Sequence, residues 1–111
     1  MKTLGQRIRE LREERDISLR EVAKRLGVTA AFLSDIELGR RYPSDKVLSD
    51  LARELGTSLE DLRNHDTRAP VEGLKRLANS NPLYGIAFRK VIDRGVTPEE
   101  LLKLAAKKKK P

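Results

Sequence analysis

Apolar positions recur along this chain at helical spacing nearly from end to end, and no segment shows the strict alternation of a half-buried strand. Five short helices are predicted before residue 64, each with its own punctuation. The first runs from about Thr3 to Arg15, with Leu4, Ile8 and Leu11 on one face. The second starts at Ser18, where Ser18 and Glu21 have capping-box spacing, and stops at Gly27. The third takes Thr29 as N-cap and ends near Leu38-Gly39. Ser44 caps a fourth, which turns Val47, Leu48, Leu51 and Leu55 inward and stops at Gly56. The fifth, Ser58 to about Arg63, carries a Ser-x-x-Asp box in Ser58 and Asp61. An all-α fold class follows, beginning with a five-helix bundle.

Asn64 to Pro70 breaks the pattern and reads as a linker, which predicts an exposed His65. Val71 to Ala78 is amphipathic through Val71, Leu74, Leu77 and Ala78. Pro82 to Arg94 is apolar over most of its girth, through Leu83, Tyr84, Ile86, Ala87, Phe88, Val91 and Ile92. Thr97-Pro98-Glu99-Glu100 marks a helix start, opening a last helix through Leu101, Leu102, Leu104 and Ala105 into Lys107–Lys110. A unit of about 40 residues rarely buries enough surface to fold alone without metal or disulfides. Its apolar faces must lie on the bundle, on a twin chain or on another protein. A twin chain is the favoured cover, with Leu83, Tyr84, Ala87, Phe88, Val91, Ile92, Leu101 and Leu104 as the dimerisation residues. The organisation read from the sequence is therefore 1–63, a bundle; 64–70, a linker; 71–106, a helical extension; and 107–111, a basic tail.

Residues 18–43 carry the chemistry. Two short helices meet at Gly27, and a basic loop, Gly39-Arg40-Arg41-Tyr42-Pro43, follows the second. That is the sequence form of a helix-turn-helix, which lays its second helix into the major groove of DNA. Ala23 is small where the helices cross, and Gly27 tolerates the positive φ of the turn. Val28, Phe32, Leu33 and Ile36 form the face to be buried. Thr29, Ala30, Ala31, Ser34 and Asp35 form an outward face slim enough to enter a groove.

Residues 4–62 resemble the phage-repressor and Cro (XRE-type) class of helix-turn-helix regulators. The resemblance lies in Ser18-Leu-Arg-Glu-Val-Ala, Leu26-Gly27-Val28, Leu33-Ser-Asp-Ile-Glu37, Gly39-Arg-Arg-Tyr-Pro43 and the Leu51-Ala52…Leu55-Gly56 run, all in register. Helical periods alone predict the bundle; sequence-specific binding of double-stranded DNA is what the resemblance implies. It implies a structural ion pair between Arg12 and Glu37, base contacts from Thr29, Ala30, Ala31, Ser34 and Asp35, and phosphate contacts from Arg20, Arg40, Arg41 and Tyr42. The Gln or Asn readers usual at the base-contacting positions are missing. Ala30 and Ala31 suit thymine methyls and Asp35 suits cytosine N4, a weaker readout that shifts specificity toward DNA shape.

Composition narrows the alternatives. There is no Cys, which excludes disulfides, thiol catalysis and Cys-ligated zinc, and the single His cannot make a histidine pair for a metal. No metal or other cofactor is expected, and Ser34-Asp35 has no nearby His to complete a nucleophilic triad. No run reaches the ~18–20 apolar residues of a membrane span, so a soluble protein of a reducing interior is the default, and the DNA binding that the resemblance implies makes it cytoplasmic and nucleoid-associated. The net charge of +7 is uneven. Residues 1–63 hold 13 Lys/Arg against 12 Asp/Glu, and residues 64–111 hold 11 against 5. DNA affinity must then come from a local basic patch, with a diffuse, salt-sensitive attraction from the tail.

The sequence expectation is a homodimeric repressor reading an inverted repeat, with half-sites one helical turn, ~34–36 Å, apart. The alternative is a protein-interaction module with residual DNA affinity. The resemblance brings two partners for either reading, a toxin in the antitoxin setting or a dedicated peptidase.

Overall fold

The computed structural model describes residues 1–108; the end of the predicted basic tail, 109–111, lies outside the described residues. Its eight helices are α1 (Leu4–Glu14), α2 (Leu19–Leu26), α3 (Ala30–Glu37), α4 (Asp45–Glu54), α5 (Leu59–Arg63), α6 (Val71–Ser80), α7 (Pro82–Asp93) and α8 (Pro98–Lys107). Among the described residues there is no strand, and no helix is long and apolar enough to cross a membrane.

Hydroxyls set the helix starts. Thr3, Ser18, Thr29, Ser44, Ser58 and Thr97 each accept the backbone N–H three residues on, satisfying one of the donors that a helix start leaves open. The full reciprocal box forms in α1, where the Gln6 side chain accepts from the Thr3 N–H at 3.0 Å. At Ser18 and Ser58 the expected reciprocal half is replaced by ion pairing. The Glu21 carboxylate takes Arg25 one turn on, and the Asp61 carboxylate takes Arg7. Gly27 closes α2 at φ +70°, in the left-handed region that costs glycine nothing.

The chain forms two compact units, the first ending at Arg68. In it, Ile8, Leu33, Ile36, Leu48, Leu51, Leu55, Leu62, Val22 and Pro43 are fully buried. Val28 and Phe32, expected in the core, are half-buried on its rim, and Ala30 also packs there. Residues 64–68, expected as linker, belong to this unit. His65, expected exposed, keeps only 24% of its side-chain surface, because its Nδ1 lies 2.9 Å from the Asp61 carbonyl oxygen.

Two cross-helix contacts seat α1. Gly5 touches the C-terminal end of α3 so closely that a Cβ there would lie 2.3 Å from the Glu37 carbonyl oxygen. About two turns on, Arg12 holds the Glu37 carboxylate through Nε at 2.8 Å and Nη2 at 3.1 Å, and its Nη1 donates to the Ile17 carbonyl at 3.0 Å. These side chains keep only 15% and 7% of their surface. Arg7 performs the same service for α5: its Nη2 donates to Asp61 at 2.9 Å, and Thr57 donates to the same carboxylate.

The second unit begins at Ala69. Its helix α6 packs on α7, and the Tyr84 and Phe88 rings lie 5.8 Å apart. No described residue of α6, α7 or α8 is buried. Leu83 stays 66% exposed and Ile92 78%.

Two stability measurements follow. Arg12→Ala strands the Glu37 carboxylate inside the bundle and lowers unfolding free energy in urea by about 3 kcal/mol; replacing both partners with apolar residues recovers much of that. The Arg7 hydrogen bond, supported by Thr57, holds the Asp61 carboxyl below its ordinary value of 3.8. A depressed carboxylate stabilises the fold above its ordinary value and loses that contribution as pH falls through its folded one. Lowering the pH below about 4 therefore removes stability from the native protein, and Asp61→Asn flattens that part of the curve of Tm against pH.

Candidate nucleic-acid interface

The surface around α3 is built from both of its ends. At its start, Thr29 caps the helix by accepting from the Phe32 N–H at 3.0 Å. Leu33 and Ile36 are buried, so the helix cannot roll, and Thr29 and Ala31 are left exposed while Ser34 and Asp35 are half-exposed. Ala30 differs from its expected partners: its methyl is half-buried on the core, which withdraws part of it from the outward face. Four residues thus dominate that face, and none is bulky.

At its other end the helix is locked to the basic loop. The Asp35 carbonyl oxygen accepts the backbone N–H of Arg40 at 2.8 Å and of Arg41 at 3.2 Å. Gly39, at φ +78°, makes the reversal that this double acceptance needs. Arg40 projects with 72% of its side chain exposed, its Nη1 3.9 Å from the Asp35 carboxylate. That pair is too open to hold much energy and leaves the guanidinium available to an anion. The Arg41 guanidinium lies over the Phe32 ring at 5.5 Å, a contact that explains why Phe32 sits on the rim. Tyr42 is half-exposed, and Pro43 beyond it is buried, anchoring the far end of the loop. Arg20, in the first turn of α2, is exposed.

One participant lay outside the sequence expectation. The Arg68 guanidinium lies 4.8 Å over the Tyr42 ring and donates to the Pro43 carbonyl at 3.0 Å. Its charge partner is Asp66, 2.7 Å from Nη2. A residue that reads as linker therefore closes the side of the loop.

The chemistry available here is that of contact. The cleft bordered by Gly5, Ile36, Gly39, Arg41, Tyr42 and His65 holds about 180 Å³, below the ~300 Å³ of small ligand pockets. Among the described residues, no group of His, Asp or Glu is placed to hold a metal ion.

A helix-turn-helix family profile matches residues 8–62, the segment from the middle of α1 to α5. The ImmF control region 10 kDa protein of Bacillus phage phi105 is 39% identical over 72 residues, covering 65% of this chain and 80% of that protein. Of some other curated relatives the chain spans less than half the length. Among solved structures, the master regulator for biofilm formation SinR in complex with DNA gives a TM-score of 0.52 at 36% identity, covering 54% of this chain and 97% of that one. A complex of the SinR and SinI proteins gives a TM-score of 0.52 at 26% identity, covering 94% of this chain and 92% of that one. The profile match takes in the α2–turn–α3 unit whose geometry is described above, the phage relative is covered over most of its length, and the chain belongs to the phage-repressor (XRE-type) helix-turn-helix family, a family of DNA-binding transcriptional regulators and not of enzymes.

Proposed function

We propose that this chain is a sequence-specific reader of double-stranded DNA that acts as a homodimeric repressor on an inverted-repeat operator in the cytoplasm. The carrying observation is the pairing of a rigid, slim-faced α3 with an exposed arginine loop fixed to its end. Such a helix enters the major groove with its first turns at the base edges, while the loop meets the phosphates. Thr29, Ala31, Ser34 and Asp35 read bases, with Ala30 a lesser contributor. Arg40, Arg41, Tyr42 and Arg20 bind the backbone. Arg12 and Glu37 are structural and touch no DNA.

The exposed apolar residues of α6–α8 support pairing of two chains, because a unit with none of its described residues buried gains its stability from a partner surface. Leu83, Tyr84, Ala87, Phe88, Val91, Ile92, Leu101 and Leu104 are the residues of that face. Its size, and the SinR–SinI complex that aligns over most of the chain, also favour a second reading, in which the extension takes a regulatory protein such as a toxin or a peptidase.

Selection on randomised duplex DNA at near-physiological salt tests the first reading. Enrichment of an inverted repeat with half-sites ~34–36 Å apart is the expected outcome. Recovery of no motif, with binding that vanishes as salt rises, sinks the operator reading and leaves the interaction module. On the selected duplex, Arg40→Ala with Arg41→Ala weakens binding at least about tenfold and lowers the slope of log affinity against log salt by about 2. Ile92→Glu, at a site already exposed, keeps the fold and yields a monomer in sedimentation whose operator affinity falls about a hundredfold. A dimer that survives this change disproves pairing through α7.

A further inference from the structure

The loop from Gly39 to Pro43 is held at both ends and open in the middle. The Asp35 carbonyl fixes its start and the buried Pro43 ring fixes its end. Between them the Tyr42 side chain is half-exposed, with no part in the core. Arg68 supplies what is missing there. Its planar group covers the Tyr42 ring at 4.8 Å, and its Nη2 donates to the Pro43 carbonyl at 3.0 Å. Its Nε lies 3.1 and 3.2 Å from the two Asp66 oxygens, and Nη2 lies 2.7 Å from one of them. Asp66 is pre-set for this, because its Oδ1 accepts the Arg68 backbone N–H at 3.0 Å.

We propose that Arg68 is a positioning residue for DNA binding, which holds the Arg40–Tyr42 loop in its phosphate-facing shape without touching DNA itself. The proposal rests on the reading that this loop contacts phosphates. The position of the guanidinium argues against a direct contact. One face lies on Tyr42, the Nε and Nη2 donors are committed to Asp66 and Pro43, and Asp66 neutralises the charge. What remains is a brace that joins a ring, a backbone carbonyl and a carboxylate, a task for a planar fork that an ammonium cannot perform.

The test uses the full chain and the duplex recovered by selection, with affinity measured against salt and Tm recorded for each variant. Arg68→Gln and Arg68→Lys are both expected to bind about five- to twentyfold more weakly, as when the unbraced loop holds its binding shape only about a tenth of the time. Both keep Tm within a few degrees of the parent, as expected of a half-exposed site. Tyr42→Phe keeps the ring under Arg68, so Arg68→Gln brings the same fold loss of affinity in that background as in the parent. In the Arg40→Ala, Arg41→Ala background, Arg68→Gln adds much less than it costs the parent, since of the loop contacts only Tyr42 is then left to position. In spectra of the free protein, the amide signals of Arg40–Tyr42 shift in Arg68→Lys while those of α4 do not.

Parent-level binding by Arg68→Lys overturns the proposal by showing that charge alone suffices. A loss that multiplies with that of Arg40→Ala, Arg41→Ala also overturns it, by making Arg68 a contact in its own right. If instead the double arginine variant binds with parent affinity and salt slope, the loop reading itself has failed, whatever Arg68 does.

Discussion

The docking of α1 across the C-terminal end of α3 is the constraint on which the rest of the first unit depends. It is made by opposite means within one helix: at Gly5 by the absence of a side chain, at Arg12 by a long one bridging to Glu37. The glycine sets how near the helices come, and the guanidinium sets how α3 is turned. Burial of Leu33 and Ile36 chooses the inward face of α3, and the two contacts with α1 set the angle at which the opposite face is held. A slim outward face has value only if its angle is set, because a base edge offers a contact window of a few tenths of an ångström.

Charge is arranged in the same spirit. The bundle is close to neutral, 13 basic against 12 acidic groups over residues 1–63, and many of these are engaged with one another. Arg7 faces Asp61, Arg12 faces Glu37, Arg25 faces Glu21, and Lys46 and Arg53 share Asp50. The α3 loop departs from this rule, with Arg40 loosely paired and Arg41 lying on an aromatic ring. Near-neutrality of the bundle with one local concentration favours attachment at one face, and leaves diffuse attraction to the basic excess of residues 64–111.

Local features of the fold were legible in the sequence. Each helix of the first unit starts at a Ser or Thr whose hydroxyl caps it, and the period of apolar residues names its inner face, so both can be read within a few residues. The Gln6 half of the α1 box was equally local but hidden, because Gln in the first turn also reads as an ordinary helix residue. Pairings between elements leave no such trace. Arg12 and Glu37 are 25 positions apart and became visible through the family resemblance alone. Arg7 and Asp61 are 54 apart, and Asp61 already had a sufficient role in a capping box. His65 and Arg68 were masked by a breaker-rich context that looks the same whether the chain leaves the bundle or closes over it. In the extension, periodicity revealed the helices but not their cover, since a residue's own pattern says that a face is apolar and not what lies against it.

Arg68 has a consequence for how this protein can be divided. The helical pattern stops at Arg63, and a fragment cut there would look complete by every sequence criterion. It would lack His65, which closes on the Asp61 carbonyl, and the Asp66–Arg68 pair that covers Tyr42. Such a fragment would carry all of α1–α5 yet present a loop without its side support. Weak DNA binding by it would then be misassigned to the missing extension. The edge of the first unit lies five residues beyond its last helix, and an independently cut domain should be judged from there.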